Sequence, residues 1–236
     1  MTYRGAGKAR GVDIIVTITL SMTMDKTEFT TLLEACGELA QVFPEGLVYI
    51  GGIAVYLHAI NTPAVAPFAE FTHDADFYIS LSDMGDLRDL EEVTPNRRLS
   101  KHQLIKRGFE FDIYTERQST LIVPYDAVAA HSARYEGLRV SGLEHLFVLK
   151  LEAFRDRRQS AKGEKDAKDL LRIAAVADAS KRGFEGSIAA PYLRDEHLAL
   201  LALVHKSPAA AAMAQGNAVV AKRLRSSFVR VMESLK

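Results

Sequence analysis

Cysteine occurs once in this chain, at Cys36, and tryptophan not at all. A single thiol excludes an internal disulfide framework and fits a reducing cytoplasm. Cys36 lies in a helical pattern and reads as a small buried hydrophobe rather than a nucleophile. No segment is long or apolar enough to span a bilayer. Internal repeats, zinc-ligand spacings, a Walker-type phosphate loop and a serine-nucleophile elbow are all missing, and the histidines form no ligand-spaced cluster. Excess charge is missing too, since the formal net charge is +0. The charge is unevenly placed, however. Residues 1–140 carry 13 Lys+Arg against 19 Asp+Glu, and residues 141–236 carry 17 against 11. An acidic half followed by a basic half suits a cleft with metal on one wall and a polyanion on the other. Two halves with solvated charged faces would give the same counts.

What is present is ordinary for a folded protein. The 236 residues are 48% hydrophobic and 25% charged, enough for one large domain or two modest ones around an ample core. Residues 1–21 join Arg4, Lys8 and Arg10 to an apolar run from Val12 to Leu20 that is broken by Asp13 and two threonines, Thr17 and Thr19. This reads as an ill-fitting leader, or as sequence ahead of a start at Met22 or Met24; a strand over Ile14 to Leu20 is the alternative.

The stretch with the most chemistry is Phe71-Thr72-His73-Asp74-Ala75-Asp76-Phe77-Tyr78-Ile79. Apolar and acidic residues alternate, which predicts a half-buried strand. Ala75, Phe77 and Ile79 then share one face, and Asp74, Asp76 and Tyr78 the other. The two carboxylates are separated by roughly 6.6 Å of strand rise. Like charges on one face are costly unless a cation sits between them, which points to a divalent metal. His73 falls on the opposite face from Asp74 and is expected to pack.

Ahead of it, Asp25 can cap a helix whose stripe is Phe29, Leu32, Leu33, Cys36, Leu39 and Ala40. Leu47-Val48-Tyr49-Ile50 reads as a short buried strand, then come Gly51-Gly52 and a helix from Ile53 to about Ile60. A strand, a glycine pair and a helix start converge backbone N–H groups on one point, a natural phosphate cradle. Two glycines also make an ordinary tight turn. Past a loop over residues 61–70, a surface helix is expected from Asp83 to Glu92 and a turn at Pro95-Asn96. A strand region follows from Leu99 to Ile105. Phe109 to Tyr114 alternates again, with Glu110, Asp112 and Tyr114 on one face. Beside the Asp74/Asp76 strand, Asp112 would be the third carboxylate of a cluster.

These residues carry a resemblance. A strand, Gly51-Gly52 and a helix, then Thr72-x-Asp74-x-Asp76, then Asp112 on a later strand, resemble the nucleotidyltransferase-fold superfamily, nearest its bacterial abortive-infection and toxin–antitoxin type. Downstream, Leu149-Lys150-Leu151-x-Ala153 with Arg155, then Lys165-Asp166-x-x-Asp169-Leu170, resemble that branch's Lys-x-x-Ala-x-x-x-Arg and Lys-Asp-x-x-Asp-Leu helices. The similarity covers about residues 30–175. It implies an α/β fold, a mixed β-sheet flanked by helices with a helical C-terminal part. The implied division is a leader over 1–21, a nucleotidyltransferase-like core over 22–140 and a helical domain over 141–236. Asp74, Asp76 and Asp112 would be catalytic and would hold Mg²⁺ (or Mn²⁺). Gly51, Gly52, Thr72 and Lys150 would meet a nucleoside triphosphate. The acceptor would be a hydroxyl of an RNA, a protein or a small molecule, in the cytoplasm and away from any membrane, with a toxin or antitoxin as a further partner. A catalytically silent binding module is the second reading, and a metal-dependent nuclease a third. Two positions depart from the family pattern: Ile53 stands where a hydroxyl residue often follows the glycines, and Glu70 where an arginine often precedes the threonine. Lys150 could equally be a snorkelling surface lysine. Lys165 and Asp169 have the spacing of an i,i+4 ion pair, with Lys165, Asp166 and Asp169 expected in structural or supporting roles. The last helix turns Lys222, Arg223 or Arg225, and Arg230 outward.

Overall fold

The computed structural model describes residues 24–117 and 120–236. The reading of residues 1–21 therefore lies outside the described residues. In chain order the elements are α1 (Lys26–Val42), β1 (Leu47–Ile50), α2 (Gly51–Ile60), β2 (Asp74–Ile79), α3 (Leu81–Leu90), β3 (Thr94–Asn96), β4 (Lys101–Lys106) and β5 (Phe109–Thr115). They continue as α4 (Tyr125–Ala130), β6 (Ser132–Tyr135), β7 (Leu138–Ser141), α5 (Leu143–Arg157), α6 (Ala161–Ala179), α7 (Gly186–Ala189), α8 (Asp195–Lys206), α9 (Ala209–Met213) and α10 (Ala218–Ser234).

The strands make one mixed sheet in the order β3-β4-β5-β2-β1-β7-β6. β2 is antiparallel to β1 and parallel to β5, and β1 is parallel to β7. This is the expected mixed sheet flanked by helices, with helices alone from residue 143 onward. Pro95, read as part of a turn, sits instead in the short edge strand β3, opposite His102. Proline is tolerated there because an edge strand has N–H groups that need no ladder partner. No described helix is long and apolar enough to cross a membrane.

Alternation along β2 divides the core. Ala75, Phe77 and Ile79 are fully buried in the larger cluster, with Tyr49, Phe111 and Ile113 and with residues of α1, α2, α5 and α6. Phe77 is edge-on to both Tyr49 and Phe111, at centroid separations of 5.8 and 6.3 Å. Cys36 lies in this cluster, and burial pushes its thiol up to about 12, as expected of a packing residue. On the other face, Tyr78 packs in a smaller cluster with Val48, Ile50, Val123, Val128 and Val148. That cluster covers only part of the face. Toward the start of β2 the same face carries Asp76 and Asp74.

Local signals set the helix ends. Asp25 and Glu28 form a reciprocal capping box on α1, and Ser160 and Asn217 cap α6 and α10. Helix α2 begins at Gly51, two residues before the expected start, with no side-chain cap on its first turn. Gly51 has φ +61°, and a Cβ there would lie 2.2 Å from Asp76 Oδ2. The strand-to-helix bend thus needs glycine both for its left-handed backbone and for room beside a carboxylate. Gly51→Ala should cost about 1–2 kcal/mol from backbone conformation alone, lowering Tm by about 2–8 °C. In an Asp76→Ala background the loss should be smaller, because the clash partner is gone. Thermal denaturation of the four forms checks this; equal losses in both backgrounds would contradict the close approach.

Candidate functional site

The site is built where β1 hands over to α2 and β2 begins. Pairing of β1 with β2 sets Ile50 opposite Asp76, which brings the glycine pair against the acidic strand. A Cβ on Gly52 would lie 2.6 Å from Thr72 Oγ1. Parallel pairing of β2 with β5 sets Asp76 beside Asp112 and Asp74 beside Glu110, so these acids share one face. The pairing of β2 with β5, on which the reading of Asp112 as a third carboxylate depended, is present, and the glycine bend lies against Asp76.

The three carboxylates have different surroundings. Asp74 accepts a hydrogen bond from Thr72 Oγ1 at 2.8 Å. Burial pushes its carboxyl up, but the Thr72 hydroxyl and the ammonium groups of Lys165, Lys162 and Lys150 outweigh that and hold it below the usual range. Asp76 accepts no hydrogen bond and forms no ion pair with any described residue. Burial first, then Asp74 and Asp112, push it up to about 7, against the opposing pull of Lys150 and Lys101. Asp112 is engaged on both oxygens: Lys101 Nζ donates to Oδ2, and Gln103 Nε2 donates to Oδ1 at 3.0 Å. Gln103 is itself fixed by Asn96 Nδ2 at 3.1 Å. Among the described residues no three carboxylate, histidine or cysteine groups stand arranged as a metal cage.

Three side chains behave differently from expectation. Lys150 is no surface lysine; it is buried, with Nζ 2.7 Å from Asp169 and 3.5 Å from Asp166. Desolvation lowers its pKa, but Asp169 and Asp166 overcome this and raise it, so the ammonium stays charged inside the protein. Lys165 forms no i,i+4 pair with Asp169. It reaches across to Thr72 Oγ1 at 3.3 Å, because Asp169 is already taken by Lys150 and by Arg172 Nη1 at 2.6 Å. His73 is exposed rather than packed. Thr72 itself is 1% exposed, and its hydroxyl is committed to Asp74, so it positions the carboxylate.

The helices behind the site explain the two downstream motifs. Arg157, at the spacing of Lys150-x-x-Ala153-x-x-x, clamps Asp166 with Nε at 2.7 Å and Nη2 at 2.9 Å. Arg155 instead turns outward to Glu152, Asp156 and Glu196. Arg172 donates to Phe68 O at 2.6 Å and to Glu70. Glu70 is thus paired with an arginine from α6. Lys101, Lys162 and Arg157 are further cations within electrostatic reach of the acids, and spacing along the sequence gave no sign of them. A pattern of register would have been needed for Lys101, and knowledge of how the α5–α6 turn lies over the strand for the other two.

The arrangement offers a hard divalent ion two carboxylates on one strand face, one of them with no hydrogen bond or ion pair among the described residues, next to an uncapped helix start. That suits Mg²⁺, which takes one or two protein carboxylates and completes its shell with water and phosphate oxygens. No family model matches the chain, and no curated protein matches it either. Among solved structures the chain is similar to JHP933 from Helicobacter pylori, at 14% identity over 90% of this chain and 95% of that one, with a TM-score of 0.47. It is also similar to an antigenic nucleotidyltransferase-like protein from Paracoccidioides brasiliensis, at 15% identity over 86% and 94%, with a TM-score of 0.46. A third is the Megavirus polyadenylate synthase, at 14% identity over 78% of this chain but 38% of that one, with a TM-score of 0.49.

Proposed function

We propose that this chain is a nucleotidyltransferase that uses Mg²⁺ or Mn²⁺ to move a nucleoside monophosphate from a triphosphate to a hydroxyl of an RNA, a protein or a small molecule. The observation that carries the reading is Asp76, a partly buried carboxylate with no described hydrogen-bond donor, flanked by Asp74 and by the glycine bend. Asp74 and Asp76 would hold the ion, which when bound supplies positive charge against the phosphate oxygens during in-line transfer. Gly51 and Gly52 open the first turn of α2, whose N–H groups and positive helix end suit a phosphate. Lys162 and Lys165, on the basic side of the cleft, stand near enough to Asp74 to stabilise its charge and to face a triphosphate seated there. Lys150 supports from below by fixing Asp169 and adding charge toward Asp76. Asp112, on the neighbouring strand, would orient or deprotonate the acceptor hydroxyl.

A second reading is a catalytically silent member of the same fold, serving in the cytoplasm as the partner of a toxin or antitoxin. Ile53, which puts no hydroxyl at the glycine bend, and the full engagement of Asp112 favour it. Incubation with each labelled triphosphate, Mg²⁺ and a total RNA and protein extract separates the two. The enzyme reading expects label on an acceptor, reduced at least 10²-fold in Asp74→Ala and in Asp76→Ala, a loss typical of removing preorganised charge stabilisation. Absence of label, with no thermal stabilisation by Mg²⁺ or nucleotide, would leave the silent module.

The charge state of Asp76 gives an independent test. Its carboxyl rises from 3.8 unfolded to about 7 folded, so the folded state holds the extra proton. Stability from this group is therefore full below pH 3.8 and is lost as pH rises toward 7 and beyond. Asp76→Asn removes that loss. Without metal it should raise Tm at pH 8 by roughly 10 °C and change it little near pH 4. Differential scanning calorimetry at the two pH values measures it, and a variant less stable than the parent at pH 8 would contradict the argument.

A further inference from the structure

The side chains next to Asp112 bear on how many metal ions the site can take. Antiparallel pairing of β4 with β5 places Gln103 opposite Asp112. Lys101, two residues earlier, projects from the same face and is the diagonal neighbour of Asp112. Its ammonium donates to Asp112 Oδ2 while Gln103 Nε2 holds Oδ1 at 3.0 Å, and Asn96 on β3 fixes Gln103 in turn. The Lys101 and Asp112 side chains are 11% and 15% exposed, so this is not a flexible surface pair. An ion bound at Asp112 would have to expel a largely buried ammonium that forms no ion pair with any other described carboxylate. Asp76, by contrast, has no ion pair to break among the described residues.

We propose that Lys101 is a built-in counter-cation that takes the place of a second metal at Asp112, leaving a single divalent site on Asp74 and Asp76. The inference rests on the reading of Asp74 and Asp76 as metal ligands. A point charge on a four-carbon stem suits this role, since it neutralises one carboxylate without demanding further oxygen ligands. It also fixes which side of the cleft the ion occupies: the β1–α2 bend rather than the β4–β5 edge. Lys101 is then a positioning residue that holds the Asp112 carboxylate oriented with no metal on it.

Mn²⁺ titration of the full chain, read by electron paramagnetic resonance and by calorimetry, tests this. The parent should bind one Mn²⁺ per chain, lost in Asp74→Asn. Lys101→Met, which keeps the length and removes the charge, should bind two, and Lys101→Met with Asp112→Asn should return to one. Lys101→Arg, which keeps the cation, should bind one and serves as the folded reference if Lys101→Met proves unstable. Two Mn²⁺ on the parent, or one on a folded Lys101→Met, overturns the counter-cation while leaving the Asp74/Asp76 site standing. No Mn²⁺ on the parent, with Asp74→Asn indistinguishable from it, overturns the metal site itself and this inference with it.

Discussion

Two carboxylates on one face of one strand are the constraint around which the rest of the molecule is arranged. Asp74 and Asp76 repel each other, and burying either without a partner is unfavourable by several kcal/mol. The chain meets this from three directions. Thr72 and Lys165 serve Asp74, Lys101 serves Asp112 before it can add to the repulsion, and Lys150 puts a buried positive charge within reach of Asp76. None of these cations is a sequence neighbour of the acids it serves. The acidic strand therefore depends on the long-range fold for its charge balance, and it should be among the last parts to acquire a native environment.

The same dependence explains why α5 and α6 carry so much buried charge. Asp166, Asp169 and Arg172 are almost completely buried, and so is Lys150. Such groups persist in an interior only when each is paired. Here Arg157 closes on Asp166, Lys150 and Arg172 close on Asp169, and Arg172 reaches on to Phe68 O and to Glu70. The last two contacts tie α6 to the segment just ahead of Thr72. Helix α6 thereby sets where the acidic strand starts, which a hydrophobic interface alone, free to slide by a turn, would not do. Replacing one member of such a network leaves another buried charge without a partner, so the network specifies geometry more than it adds stability.

Much of this was legible in the sequence, and the parts that were not share a cause. The alternation in Phe71–Ile79 and Phe109–Tyr114 located two strands and their polar faces, because a period of two is fixed by the pleat whatever the tertiary context. Whether Asp112 stands beside Asp76 depends on strand pairing, which the parallel register of β2 and β5 supplies. The stripe around Cys36 and the cap at Asp25 were readable for similar local reasons. What failed were inferences that a local rule could not arbitrate. The i,i+4 rule paired Lys165 with Asp169, but a buried Asp169 is claimed by side chains from another helix and from its own. Composition marked Pro95 as a turn, whereas an edge strand accepts it. Lys101 and Gln103 meet Asp112 only through cross-strand register, which no spacing along the chain reveals.

The uneven treatment of the two aspartates is itself informative about function. Lys150 lies close enough to Asp76 to act on it electrostatically, yet its ammonium is spent on Asp169 and Asp166. Thr72 is spent on Asp74, and Lys165 donates to Thr72. A sequence selected for stability alone would have turned one of these donors to Asp76, or placed an asparagine there. Instead the chain keeps an acid at position 76, leaves it without a donor among the described residues, and gives up a side chain at Gly51 to make room for it. Local choices that oppose stability in this way are expected where a ligand is to complete the structure. On the proposed reading, a small cation content with oxygen ligands would resolve the repulsion at Asp76, and the uncapped start of α2 would meet the phosphate bound with it.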